Sequence, residues 1–331
     1  MLKFRLGLFL TVFCTAVIAF VLQYQILKLQ DELVKFENLK KIEENIINED
    51  VEDVDDVVVI YNRVPKTGST SFVGVAYDLC KKNNFHVIHV NITANNHRLS
   101  LPNQYKLVNN ITKWSDMKPA LYHGHFAYLD FTKFSKHKPM YINIIRKPLD
   151  RLVSYYYFLR YGDDFRPHLV RRKHGDTMTF DECVSKSQPD CDPNNMWLQI
   201  PFFCGHTANC LKPGNKWALQ EAKKNLINNY LLVGVTEDIE SFINILELTI
   251  PRLFIGAMDY FNHSNKSNLR KTAHKEAPTE ETVKKIQNSV VWQMENELYE
   301  FALEQFNFVK KLSLGEKSQR FFFEKIRPKS S

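Results

Sequence analysis

Apolar residues along this chain follow two rhythms. Short aliphatic runs at 57–61 (Val-Val-Val-Ile-Tyr), 121–127, 141–145 (Tyr-Ile-Asn-Ile-Ile) and 231–235 are too brief for helices and rich in residues suited to a pleated surface. They predict buried strands. Between them, apolar positions recur at helical spacing over 69–82, 149–160, 216–228, 237–247 and 279–309. Strands alternating with helices predict an α/β fold, a central parallel sheet flanked by helices. The long connections 90–120 and 162–215 are expected to shape a cleft, as loops on a rigid sheet do.

The N-terminal pattern differs. Residues 6–22 form an uncharged apolar run behind Lys3 and Arg5, which predicts a transmembrane signal anchor with residues 1–5 cytoplasmic and the remainder lumenal. No small-x-small cleavage site precedes the polar stretch that follows, which argues against a removed signal peptide. Leu22, Ile26, Leu29, Leu33 and Phe36 then alternate spacings of four and three, a short coiled-coil seam. The acidic run at 49–56 reads as a linker. The expected organisation is therefore a tail (1–5), an anchor (6–22), a stem (23–56) and one catalytic domain (57–331).

Composition adds a compartment and a partner. At 331 residues and 44% hydrophobic content the chain can bury one α/β core after its anchor. Sequons at Asn91, Asn110, Asn262 and Asn265 fit a lumenal domain. Of the cysteines, Cys14 lies in the anchor and Cys80 on an apolar helix face, where a buried free thiol is expected. Cys183, Cys191, Cys204 and Cys210 most simply pair in sequence order in an oxidising compartment. A zinc knuckle is the alternative, against which the spacings lack C-x₂-C. The net charge is +7, with basic clusters at Arg166, Arg171, Arg172 and Lys173 and at Lys266, Arg270, Lys271 and Lys275. Such clusters steer polyanions. A lumenal protein does not meet nucleic acid, so an acidic glycan fits better.

Three segments carry chemistry. The first strand runs into Arg63-Val-Pro-Lys-Thr-Gly-Ser-Thr-Ser71, a hydroxyl-rich turn opening a helix, where unpaired amides and the lysine charge would cradle a phosphate-like group. Lys66 precedes Gly68 and the first glycine of a nucleoside-triphosphate loop is missing, so a magnesium-dependent kinase is disfavoured. The turn instead resembles the loop with which sulfotransferases grip 3′-phosphoadenosine-5′-phosphosulfate (PAPS). The second segment, after 141–145, is Arg146-Lys-Pro-Leu-Asp-Arg-Leu-Val-Ser154. It sets a strand-end arginine two helical turns before a serine, matching the arginine and serine that bind the donor's 3′-phosphate in that family. Lys147 stands where its members usually carry Asp. The third is Tyr122-His-Gly-His125. On a strand both rings share one face, where they would serve as general base, as metal ligands or as structural groups.

With Arg151-Leu-Val-Ser-Tyr-Tyr-Tyr-Phe-Leu-Arg160 and Trp197-Leu-Gln-Ile-Pro-Phe-Phe-Cys-Gly-His206 added, the chain from about Val57 onward resembles the heparan sulfate 2-O-sulfotransferase family of Golgi carbohydrate sulfotransferases. Gly68 replaces an alanine usual in vertebrate members, and the stretch near 312–321 is shortened. The resemblance implies the P-loop-type sulfotransferase fold, PAPS as donor without a metal, and transfer to the 2-hydroxyl of a uronic acid, chiefly iduronate. It implies catalysis by His125, His123 and Lys66. The donor site would comprise Lys66, Thr67, Ser69, Thr70, Ser71, Arg146 and Ser154 with Arg270, Lys271 and Thr272 as a lid. Arg63, Tyr77, His89, Asn95, His123, Tyr155, Arg160, Arg166 and Arg171 would line the acceptor site. It also implies pairs Cys183–Cys191 and Cys204–Cys210, glycans on Asn91 and Asn110, a homotrimer whose C-terminal tail (321–329) reaches a neighbour's site, a complex with the uronosyl epimerase, and Golgi residence. A chondroitin or dermatan uronyl sulfotransferase and a catalytically lapsed glycan-binding relative are the alternatives.

Overall fold

The computed structural model describes Gln23 and residues 56–92, 97–164, 166–263, 272 and 274–315. The chain divides into two units, Met1–Glu52 and Asp53–Ser331. Apart from Gln23 and Asp56, the expected anchor and stem lie outside the described residues, as do Asn95, Asn265, Arg270, Lys271 and the C-terminal tail.

The second unit is built on β1 (Val58–Asn62), α1 (Ser69–Lys82), β2 (His86–His89), α2 (Leu101–Lys113), β3 (Ala120–Gly124), β4 (Met140–Ile145), α3 (Pro148–Tyr161), α4 (Phe180–Ser185), α5 (Gln199–Cys204), α6 (Lys216–Asn229), β5 (Tyr230–Val235), α7 (Ile239–Thr249), α8 (Pro251–Phe254), α9 (Ala257–His263), α10 (Glu280–Gln287) and α11 (Val290–Leu314). The strands form one parallel sheet in the order β2-β3-β1-β4-β5. The α/β expectation holds. Successive crossovers run from β1 outward to β2 on one side and to β4 and β5 on the other, so the strands' C-terminal ends around β1 form the crevice where such sheets bind ligands.

Both faces of the sheet are buried, which is why its strands read as continuous apolar runs. Tyr61 is in register with Ile142 and His123, so Tyr141 and Tyr61 point to opposite faces. On one side Tyr61, Phe242 and Phe254 surround Phe72 of α1 with ring centroids 5.2–5.7 Å away. On the other, Tyr230 packs against Phe203, Tyr141 and Tyr128 at 4.9, 5.4 and 5.9 Å. Between the two central strands, buried Asn143 donates to the Asn62 backbone oxygen (2.8 Å) and side chain (3.0 Å), and the Tyr230 hydroxyl donates to the same side chain (3.0 Å). This polar knot lies directly beneath the strand ends and satisfies groups that would otherwise be costly to bury.

The structure corrects several expectations. The strand expected over 121–127 ends at Gly124. The helix expected over 279–309 is two, because Asn288 closes α10 and the Ser289 hydroxyl caps α11 through the Trp292 amide. The 90–120 connection contains helix α2, and the short strand β2, which the apolar pattern does not predict, lies just before it. Cys80 is half-buried, its thiol donating to the Tyr77 carbonyl (3.1 Å), because it sits at the edge of the α1 apolar face. The pairs Cys183–Cys191 and Cys204–Cys210 are formed.

Candidate active site

Beyond Asn62 the chain turns through residues 63–68 and enters α1. Lys66 and Gly68 both take left-handed backbone conformations, at φ 68 and 72°, which curl the loop back over the strand ends. The Thr67 hydroxyl donates to the Val64 carbonyl (2.9 Å) and is spent on holding the turn. Thr236, just past β5, places its hydroxyl 2.9 Å from the Thr67 carbonyl and 3.0 Å from that of Ile145, tying loop and sheet together. No side chain caps α1. Its first amides, with Ser69 and Ser71 buried and Thr70 half-buried beside them, face the cradle with the positive end of a 14-residue helix behind them.

Arg146 follows β4 and extends a guanidinium nitrogen to within 3.4 Å of the Lys66 carbonyl, which ties its side chain to the backbone of the loop. Ser154, on α3, is buried. One turn further on, the ring of Phe158 carries the Lys66 ammonium at 4.1 Å from its centroid and the Arg171 guanidinium at 4.3 Å. A donor-loop cation and an acceptor-side cation therefore share one aromatic seat. Thr272 is half-buried. Lys275 comes within electrostatic reach of Arg146; desolvation and then the Arg146 charge lower its pKa, with Asp150 opposing. The sequence placed Lys275 in a basic cluster without assigning it to the donor side.

The histidine group assembles around Arg63. β2, β3 and β1 bring His89, His123 and Tyr61 into one row, so the His89 and His123 rings stack at 4.9 Å. A Cβ on Gly124 would lie 2.5 Å from the Val90 carbonyl, so only glycine lets the chain pass between the histidines. His123 is 2% exposed. The Arg63 guanidinium donates to its Nδ1 (3.1 Å), which leaves Nε2 to carry the proton donated to the Tyr77 hydroxyl (2.9 Å). Burial, followed by the charges of Arg63, His89 and His125, pushes its pKa down to about 3. His123 is thus neutral, and its lone pair is already engaged.

His125 is exposed and oppositely arranged. Its Nδ1 donates to the Arg63 carbonyl (2.8 Å), so Nε2 holds the basic lone pair, 3.5 Å from the other Arg63 terminal nitrogen. The two rings share an arginine but not a setting: one is a buried neutral post held between Arg63 and Tyr77, the other is an exposed ring whose Nε2 faces the Arg63 guanidinium. Among the described residues no cluster of three or more His, Cys, Asp or Glu side chains is placed to hold a metal.

The remaining expected acceptor residues separate. Arg166 is exposed, its amide held by Asp163 (3.0 Å), and its charge reaches His89. Desolvation, then Arg63 and Arg166, lower the His89 pKa. Arg171 lies 3.8 Å from Asp163. Tyr155 is half-buried within electrostatic reach of Arg151. Arg160 does not face the cleft. It is 1% exposed, stacked 3.6 Å over Tyr156 and paired with Asp176 (2.8 Å) and Asp190 (3.1 Å), so its charge is consumed inside the fold. Asn91, Asn110 and Asn262 are exposed.

Three supporting residues escaped the sequence reading. Thr236 and Phe158 are described above. The third is Gln199, buried at 0% exposure, which is hydrogen-bonded through its side-chain amide to the backbone of Arg146. Nothing local marks it, since its partner lies far away in sequence.

Comparison with known proteins agrees with this geometry. A profile of the sulfotransferase family matches residues 51–302. The chain is 62% identical to a Drosophila melanogaster protein named heparin sulfate O-sulfotransferase, over 82% of this chain and 79% of that one. It is 52% identical to heparan sulfate 2-O-sulfotransferase 1 of Cricetulus griseus over 97% and 96% of the two chains, and 58% identical to that of Gallus gallus over 85% and 81%.

Proposed function

The chain belongs to the sulfotransferase family, and on that premise we propose that it transfers a sulfuryl group from PAPS to the 2-hydroxyl of uronic acid, chiefly iduronate, in heparan sulfate. The relatives' names support heparan over a chondroitin or dermatan acceptor. One observation carries the reading. Arg63 opens the donor loop, and its guanidinium and carbonyl hold both histidines, so the phosphate cradle and the candidate base form a single unit.

In this reading the α1 amides, Lys66, Ser69, Thr70 and Ser71 hold the 5′-phosphosulfate, while Arg146 and Ser154, with Thr272 nearby, read the 3′-phosphate. His125 Nε2 removes the proton of the 2-hydroxyl as its oxygen bonds to sulfur. The bond from sulfur to the bridging phosphate oxygen breaks, and 3′,5′-ADP leaves with Lys66 balancing the growing charge. The sulfuryl group is already activated, so orientation and fixed charge supply most of the catalysis. His123 and Tyr77 position the sugar, and Arg166 and Arg171 meet its carboxylate and sulfates.

We extend the proposal to a Golgi lumenal site behind a type II anchor at 6–22, a coiled-coil stem and a homotrimer. Two closed disulfides support an oxidising compartment; the apolar run and heptad spacing support the anchor and the assembly. The epimerase complex rests on the family resemblance. The test is incubation of the purified protein with labelled PAPS and desulfated heparan, followed by disaccharide analysis. Label on the uronic 2-position is expected; label elsewhere, or none, overturns the reading.

A further inference from the structure

Arg146 stands just beyond the end of β4, where the sheet no longer supplies ladder partners. Its backbone is nevertheless paired on both sides by one side chain. The Arg146 amide donates to Gln199 Oε1 at 2.9 Å, and Gln199 Nε2 donates back to the Arg146 carbonyl at 2.9 Å. A single carboxamide thus reproduces the two bonds of a missing strand residue and fixes both backbone torsions of the arginine.

Gln199 is itself immobilised from behind. Glu295 of α11, 0% exposed, accepts from the amides of Leu198 (2.8 Å), Gln199 (3.2 Å) and Ile200 (3.1 Å). Arg151 faces that carboxylate and donates to the Met196 carbonyl at 3.0 Å. From Glu295 through Gln199 to Arg146, each group is buried or anchored, and the free end is the guanidinium at the Lys66 carbonyl. A packing role alone would not require an amide: an apolar side chain of the same shape fills the space but leaves two backbone groups unpaired.

We propose that Gln199 is a positioning residue for donor selection. It aims Arg146 so that a nucleotide with a 3′-phosphate is preferred over one without, although Gln199 itself touches no ligand. This rests on the assignment of Arg146 to the donor's 3′-phosphate.

The test compares binding of 3′,5′-ADP and 5′-AMP to the purified full-length protein by calorimetry. Wild type should prefer 3′,5′-ADP strongly. In Gln199→Met that preference should fall about tenfold while 5′-AMP binds as before, because two hydrogen bonds of ordinary strength no longer hold Arg146. A merely structural role would weaken both nucleotides together and leave their ratio unchanged.

Gln199→Glu gives a second, near-isosteric readout. A protonated carboxyl can both accept from the Arg146 amide and donate to its carbonyl, whereas an ionised one can only accept. The charged groups around it are Arg146, Arg151 and Glu295. Its preference, normalised to wild type at each pH, should rise toward one on acidification, while that of Gln199→Met stays low throughout. A folded Gln199→Met protein with the wild-type ratio, or a pH-independent Gln199→Glu ratio, overturns the inference and leaves the donor assignment standing. A wild-type protein that does not distinguish the two nucleotides overturns both.

Discussion

Replacing His123 with Gln should change how the fold responds to acid. In the folded chain His123 resists protonation until about pH 3, against an ordinary value of 6.5. Between those values the unfolded chain binds the proton and the folded chain does not, so this histidine's stabilising effect is present above 6.5 and is lost as pH falls. From pH 7.5 to 5.5 the loss is about 1.4 kcal/mol. That figure is set by the unfolded pKa and is insensitive to the folded value, provided it lies well below 5.5. His206, held at about 4 by burial and by the charges of His97, Arg98 and Lys133, acts in the same direction. Glu295, raised to about 7 by burial, acts in the opposite one. Both are common to wild type and variant and cancel in the difference. Glutamine at 123 can still accept from Arg63 and donate to Tyr77 but does not titrate, so the variant's deficit relative to wild type should shrink by about 1.4 kcal/mol over that interval. Urea unfolding with disulfides intact, at both pH values, measures it. Parallel curves would mean that the folded protein protonates His123 normally, and the division of labour between the two histidines would fall.

Four further outcomes are expected. His125→Ala should lower turnover by about 10²–10⁴-fold while 3′,5′-ADP binding, followed by calorimetry, is retained; loss of both together would indicate a folding defect. Lys66→Ala should cost about 10²–10³-fold in turnover at saturating donor, and near-normal turnover would remove it from the transition state. Arg166→Ala should raise the acceptor KM with the melting temperature unchanged. Arg160→Ala should instead destabilise by about 1–3 kcal/mol, because it removes a buried guanidinium from Tyr156, Asp176 and Asp190 while Lys173 still neutralises Asp190; a stable Arg160→Ala protein with a raised acceptor KM would return that residue to the cleft.

The legible parts of the fold are those buried on both sides. β1, β4 and β5 announce themselves as aliphatic runs, but β2 is the four-residue edge sequence His-Val-Ile-His with exposed ends and has no such signal. α2 buries only Val108 and Ile111, too few to impose a helical rhythm. In the site, the H-x-H spacing implies two rings on one strand face, but β3 ends at Gly124, and the rings instead come together at the Arg63 guanidinium. That one became a buried post and the other an exposed base depended on where β3 ends and on Arg63, neither of which spacing encodes. The family resemblance offers Arg160 to the acceptor site, but its partners Asp176 and Asp190 lie outside its helix, so helical spacing alone cannot show that its guanidinium turns inward. Gln199 had no local signature, because its role exists only once distant segments meet.

The left-handed backbone at Lys66 has a consequence for anyone improving this protein. A non-glycine residue at φ 68° is strained by roughly 1 kcal/mol or more, so a search for stabilising substitutions would single out this position and recommend glycine or asparagine. Either would relax the loop, and either would delete the ammonium proposed to balance charge on the departing nucleotide. On that proposal, thermostability and turnover are opposed at this residue. A stabilised variant of this protein must find its gains in the helices behind the sheet and leave the strained lysine alone.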